Sequence, residues 1–222
     1  MWNGYMALFN NSNLFYVWPV RAGQHDSPDS NYPANIWKTG QAISYAPGDD
    51  GDLGKGVAWP VPRFVDNGNG TVIDNLTGIA WLKDANCIAT KYPSFDNDWT
   101  SGDGGVTWQH ALDFVAGINN GTFSDCSGGY DDWHLPNWKE LRSLIDYSNY
   151  SSVLPSGHPF SSVQSDYYWS STTVAIHTNS TWIVHMYNGY VGFDDTDFYS
   201  AHVWPVRGGT VTITDTDHLY QS

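Results

Sequence analysis

Trp133-His-Leu-Pro-Asn-Trp-Lys-Glu-Leu-Arg-Ser-Leu-Ile145 contains a helix start that can be read residue by residue. Pro136 ends whatever precedes it, Asn137 offers a side-chain oxygen as N-cap, and Glu140 stands three residues later, the spacing of a capping box. Trp138, Leu141, Leu144 and Ile145 then recur at helical spacing and form the face to be buried. Upstream, Thr107 can cap a second helix running to about Ile118. Its apolar stripe is Trp108, Ala111, Leu112, Val115 and Ile118, and Asn119-Asn-Gly121 ends it. That stripe reads as core.

Short strands surround these helices. Phe64-Val65, the turn Asp66-Asn-Gly-Asn-Gly70, Thr71-Val-Ile73, the turn Asp74-Asn75 and Gly78-Ile-Ala-Trp-Leu82 follow one another. Beyond the helices come Tyr167-Tyr-Trp169, Thr181-Trp-Ile-Val184 and Val203-Trp-Pro-Val206. Two helices with Trp-rich, mostly antiparallel short strands predict an α+β domain. Trp81, Trp133, Trp169 and Trp182 are expected in its core.

The chain has 222 residues, enough for one sizeable core. Nine basic against 23 acidic residues give a net charge of −14, which repels a phosphate backbone and excludes nucleic acid as the expected partner. Lys and Glu are scarce while Asn, Asp, Ser, Thr and Gly are plentiful, a balance that suits an extracellular or cell-surface protein. No apolar run reaches the length of a membrane span, so no membrane insertion is expected. Met1-Trp-Asn-Gly-Tyr-Met6 lacks the basic and apolar regions of a signal peptide, which leaves a cytoplasmic chain or a processed piece. Cys87 and Cys126 would pair in a secreted protein, tying the region after the first strands to the loop after a helix; two buried thiols are the alternative.

A repeat favours the processed piece. Met1-Trp-Asn-Gly-Tyr5 matches Met186-Tyr-Asn-Gly-Tyr190, and Val17-Trp-Pro-Val-Arg21 returns as Val203-Trp-Pro-Val-Arg207. Residues 1–24 thus read as the closing segment of a preceding copy. Residues 25–58, rich in Gly, Pro, Asp and Ser, read as a linker or an extended wrap. The domain proper is expected over 59–209, with 210–222 as a tail. Between the two fixed blocks the sequence has changed entirely, as in a scaffold that presents an exchangeable surface.

The blocks Asp66 to Trp81, Trp133 to Leu144, Tyr168-Trp-Ser-Ser-Thr172 and Val203 to Arg207, in this order, resemble the Lcl C-terminal domain family across roughly residues 59–209. The resemblance implies a fold akin to C-type lectins, a bacterial surface or secreted setting, and adhesion or binding rather than catalysis. Some similar domains are diversified by retroelements that randomise template adenines, which turns Asn codons into many residue types but never Lys, Glu, Gln, Trp or Met. Tyr187 to His202 contains none of those five.

That run defines the expected contact surface. Tyr187, Tyr190, Phe193, Phe198 and Tyr199 are its aromatic anchors, stiff side chains of large area. His177, His185, Asp194, Asp195, Asp197 and His202 would supply specificity. Strand alternation turns only some of them outward. The expected partner is a protein or glycan ligand on another surface. A homo-oligomer or filament, with residues 1–24 completing a neighbour's sheet, is the structural alternative.

Catalytic patterns are missing: no CxxC, no HExxH and no G-x-S-x-G occurs. Oxygen-rich turns at 66–70, 48–52 and 194–197 could attract Ca²⁺, but none follows the EF-hand pattern. No cofactor and no metal ligand is therefore assigned.

Overall fold

The computed structural model describes residues 37–208 continuously, with Val17 and Pro19 besides. The expected repeat remnant at 1–24, the start of the 25–58 segment and the tail 210–222 lie outside that continuous stretch. Two antiparallel sheets and a few helices make an α+β fold, as the sequence predicts. The first sheet runs β1 (Phe64–Asp66), β2 (Thr71–Asp74), β3 (Ile79–Leu82) and, at its far edge, β7 (Val206–Gly208). The second runs β4 (Tyr167–Val174), β5 (His177–His185) and β6 (Val191–Asp195).

The two expected helices are present. One of them, α3 (Trp108–Asn119), buries Ala111, Phe114, Val115, Gly117 and Ile118, and leaves Trp108 and Leu112 half-buried. Thr107 occupies its N-cap position but makes no side-chain cap bond. Asp98 braces that end instead, its Oδ2 accepting from the Thr107 N–H and bonding His110 Nδ1, both at 2.8 Å. The other, α4 (Trp138–Ser143), carries the full capping box between Asn137 and Glu140. Leu141, Leu144 and Ile145 are buried, whereas Trp138 is only half-buried. Two short helices escaped the periodicity reading, α1 (Asp50–Leu53) and α2 (Cys87–Lys91), because one turn is too short to show a stripe.

Residues 37–58 are tied to the residues that follow by backbone and indole bonds. Trp37 bridges to Val57, Trp59 Nε1 donates to the Lys38 carbonyl at 2.9 Å, and Tyr147 N–H donates to the Thr39 carbonyl at 3.0 Å. A disulfide joins Cys87 at the start of α2 to Cys126 in the 3₁₀ turn Ser124–Cys126 that follows α3.

Val203-Trp-Pro-Val206 is not the strand its sequence suggests: only Val206 enters β7. Ala201 to Gly208 is a seam. Ala201 exchanges both backbone bonds with Val106, His202 bonds Tyr167 and Trp169 of β4, the Pro205 carbonyl accepts from Leu82, and Val206 exchanges bonds with His134 before joining β3. Proline can sit in this line because it supplies only an acceptor there. Val203, Trp204 and Val206 are buried beneath the seam, which gives the VWPVR block a packing role.

Tryptophan dominates the core, and most of its indoles find a carbonyl. Trp133 Nε1 donates to Ser127, Trp169 Nε1 to Val106 and Trp204 Nε1 to Leu82, at 2.7–2.9 Å. Such bonds remove the penalty of burying a polar tip inside a large apolar ring. Trp81, Phe160 and Tyr168 pack around Trp204 with centroids 4.9–5.5 Å away. Trp182, expected in the core with the others, is only half-buried.

A charged pair also lies inside. Arg63 bonds Asp74 of β2 through two nitrogens and reaches the Ser143 carbonyl, while its guanidinium lies 4.4 Å from the Trp59 ring centroid. This pair fastens the first sheet to the end of α4.

Candidate functional site

Register in the second sheet decides which side chains meet. Tyr167 pairs with His185, whose N–H donates to the Tyr190 carbonyl, so these three lie in one row across β4, β5 and the turn into β6. The next row on the same face is Trp169, Ile183 and Gly192, followed by Thr181 opposite Asp194. Trp169, Ile183 and Thr181 are buried as a floor, while Tyr167, His185, Tyr190 and Asp194 are half-exposed. Tyr199, arriving from the loop after β6, stands edge-on to both Tyr167 and Trp169 at 6.0 Å.

The MYNGY block makes the β5–β6 turn. Gly189 has φ +73°, a region in which glycine alone is unstrained, and its N–H donates to the His185 carbonyl. Asn188 Oδ1 accepts from Tyr190 N–H and bonds His185 Nδ1, both at 3.0 Å, which orients the imidazole. Tyr190 then folds its ring across Gly192. A Cβ at Gly192 would come within 2.6 Å of Tyr190 Cε1, so the missing side chain is what makes room for the phenol.

The expected surface residues therefore divide. His185, Tyr190, Asp194 and Tyr199 share this face, and Tyr187 adjoins it, with its ring 6.0 Å from His185 and 5.1 Å from Tyr150. Phe193 and His177 lie on the opposite face, packed in a chain with Trp182 and Trp138 of α4. Asp197 and Phe198 project from the exposed turn after β6, Phe198 being 76% accessible. Asp195 caps that turn: Oδ1 accepts from the N–H groups of Asp197 and Phe198, and Oδ2 from Asn179. Its carboxylate thus braces the turn while staying half-exposed. His202, expected at the surface, is instead buried in the seam against Tyr168.

The sequence reading missed Tyr167, the centre of the cluster, and Asp166 beside it. Alternation around buried Tyr168 would place Tyr167 outward, but its partner could not be counted from the turn. The β4–β5 register shifts between Trp169 and Thr173 and again before Val174. A bulge of this kind defeats counting.

Acidic neighbours and burial dominate the electrostatics here. Burial, Asp166, Tyr167 and Asp194 push the Tyr199 phenol up to about 12, and burial with Asp166 and Asp194 raises Tyr167. These phenols stay neutral donors at every physiological pH. Contact with Tyr150 raises Tyr187.

Hollows also lie outside this face: one of about 560 Å³ is walled by Trp37, Trp59, Trp138 and Tyr147, one of about 380 Å³ by Asn69, Lys83, Asp84 and Cys87, and one of about 320 Å³ lies beside Tyr150 and His158.

The oxygen-rich turns are occupied from within. Asp66 accepts from Gly68 N–H and Lys83 Nζ, and Asp49 from the N–H groups of Tyr45, Ala46 and Asp52. Among the described residues no group of three or more His, Cys, Asp or Glu side chains is arranged to hold a metal ion. No helix among them is long and apolar enough to cross a membrane.

The family model described as the Lcl C-terminal domain matches residues 70–207, more than half of the chain. The chain belongs to this family. The match runs from the turn before β2 into β7, so in this Lcl C-terminal domain β2, β3, the whole second sheet and the seam up to Arg207 fall within the matched span, while α1 and β1 precede it. No curated protein matches the chain significantly.

Proposed function

We propose that this Lcl C-terminal domain is a non-enzymatic ligand-recognition or adhesion domain whose contact surface is the face carrying Tyr167, His185, Tyr190, Asp194 and Tyr199. The observation that carries this reading is the row of half-exposed phenols on a buried floor of Trp169, Ile183 and Thr181. Tyrosines held by a rigid sheet offer large contact area with little entropy left to lose on binding, and their hydroxyls add directional bonds. Loops mounted on such a frame can change without disturbing it.

Diversification by a retroelement belongs to the same proposal. The run Tyr187–His202 holds only residue types that adenine randomisation reaches, and the methionine before it and the tryptophan after it, Met186 and Trp204, are buried. A genomic locus with neither a reverse transcriptase nor a near-copy of the codons for 174–203 would remove this part and leave the rest. A disulfide suits an oxidising compartment, which supports an extracellular or surface location.

The test is a glycan and protein array probed with the wild-type domain and with Tyr167→Ala/Tyr190→Ala. The reading expects discrete ligands captured by the wild type and lost by the variant, with both proteins melting cooperatively. Equal capture by the two proteins would overturn it.

A further inference from the structure

We propose that this face takes a cationic partner, a protein segment presenting lysine or arginine. The inference deepens the recognition reading and rests on it.

From Ser143 to Val206 the chain contains Asp146, Asp166, Asp194, Asp195 and Asp197, and not one Lys, Arg or Glu. This stretch builds the whole second sheet, so the face has no positive charge of its own. The described cations are committed elsewhere. Arg63 pairs with Asp74, Lys83 with Asp66 and Arg207 with Asp132, while Lys139 and Arg142 lie over Trp138 and Tyr147. Lys38, Lys55 and Lys91 belong to the wrap before β1 and to the end of α2.

Asp166 and Asp194 flank the phenols, each holding a backbone N–H through Oδ1: Tyr167 N–H at 2.7 Å and Asp195 N–H at 2.9 Å. No ion pair among the described residues neutralises either one. Their field reaches Tyr167 and Tyr199, whose phenols both are raised by it.

Three ligand classes can be compared. An anionic ligand would meet two unneutralised carboxylates across a low-dielectric contact, which is repulsive. A neutral one would strip water from those carboxylates and give nothing back, leaving buried unpaired charge. A guanidinium or ammonium gains a carboxylate at the rim and ring faces at the centre, the two features the face supplies together. Arginine fits best, because its planar fork can stack on a phenol while bonding a carboxylate.

Fluorescence polarisation with three short labelled peptides tests this: one of Arg, Gly and Ser, one with Glu replacing Arg, and one of Gly and Ser only. Binding is expected for the arginine peptide alone, weakening with salt. Asp166→Asn/Asp194→Asn should weaken it by about tenfold. Asp113→Asn/Asp125→Asn, which removes the same net charge from α3 and the 3₁₀ turn, should leave it unchanged and so separates a local site from the general acidity of the chain. Thermal melts establish that both variants fold. The proposal is overturned if the arginine peptide fails to bind, if the other peptides bind as well, or if the remote pair costs as much as the local one. Failure of the recognition reading looks different: Tyr167→Ala/Tyr190→Ala would then leave capture on the array unchanged. An uncharged ligand lost in that variant but indifferent to Asp166→Asn/Asp194→Asn would sink the cationic class and keep the surface.

Discussion

The indole N–H of Trp204 donates to the carbonyl of Leu82 at 2.8 Å, so a residue of the seam closes onto the end of β3. Trp204 is fully buried and touches Trp81, Phe160 and Tyr168. Trp204→Ala should therefore cost about 3–5 kcal/mol, the usual result of emptying so large a core site. Trp204→Phe keeps most of the ring but orphans the Leu82 carbonyl, and should cost about 1–3 kcal/mol. Denaturant unfolding at neutral pH orders the two; equal losses would show that the bond contributes nothing.

Arg63 and Asp74 form the buried ion pair beneath the first sheet, with side chains 5% and 0% exposed. Removing one partner strands the other in a low dielectric. Asp74→Ala should thus destabilise by about 3–5 kcal/mol, more than Arg63→Met/Asp74→Leu, which leaves no charge behind. Unfolding midpoints of the two variants decide the order.

How much of this was legible beforehand depends on the range of the cause. The capping box at Asn137 and Glu140 lies within four residues, and the structure reproduces it. The hairpin strands around Asp66–Gly70 are equally local, since Asp66 and Asn69 fold the turn with their own side chains. Val203-Trp-Pro-Val206 has strand composition but serves as a seam, because its partners Leu82 and His134 are far away in sequence. The aromatic and acidic run 187–202 is visible by composition, yet its division between two faces follows from register. Tyr167 was missed for the same reason, and His202 misplaced because a polar side chain in a varied run carries no mark of burial.

Burial holds the pKa values of His202 and His158 below the ordinary imidazole value; for His202, Asp166, Asp103 and Asp96 pull the other way without reversing it. A histidine whose folded pKa lies below its unfolded one binds its proton more readily in the unfolded chain. Its contribution is thus complete above about pH 6.5 and is lost as the pH falls through the folded value. Melting temperature should drop between about pH 7 and pH 5, before the carboxylates titrate. His158→Gln/His202→Gln should flatten that slope; an unchanged slope would refute the assignment.

The disulfide joins residues 39 apart in sequence. Closing a loop of that length restricts the unfolded chain by an amount worth about 4 kcal/mol, and real proteins return about 2–4 kcal/mol of it. Cys87→Ser/Cys126→Ser should lower the unfolding free energy within that range. The second sheet, which the bridge does not touch, should keep its contact face, so array binding at low temperature should survive. Lost binding in a variant that remains folded would mean that the bridge shapes the surface after all.

Gly189 and Gly192 stand three residues apart and should fail in different ways. Gly189 has φ +73°, so Gly189→Ala strains the β5–β6 turn itself and should cost about 1–2 kcal/mol of stability. Gly192 has no such constraint. The atoms its Cβ would meet, Cε1, Oη and Cζ of Tyr190 at 2.6–3.0 Å, are the far end of a side chain that can swing away. Gly192→Ala should therefore change stability by less than about 1.5 kcal/mol while displacing the Tyr190 ring from the face. Unfolding and array binding, measured on both variants, should cross: the larger stability loss in Gly189→Ala, the larger binding loss in Gly192→Ala. Should Gly192→Ala bind like the wild type with its ring moved, as an NMR shift of Tyr190 would report, the position of that phenol does not govern recognition.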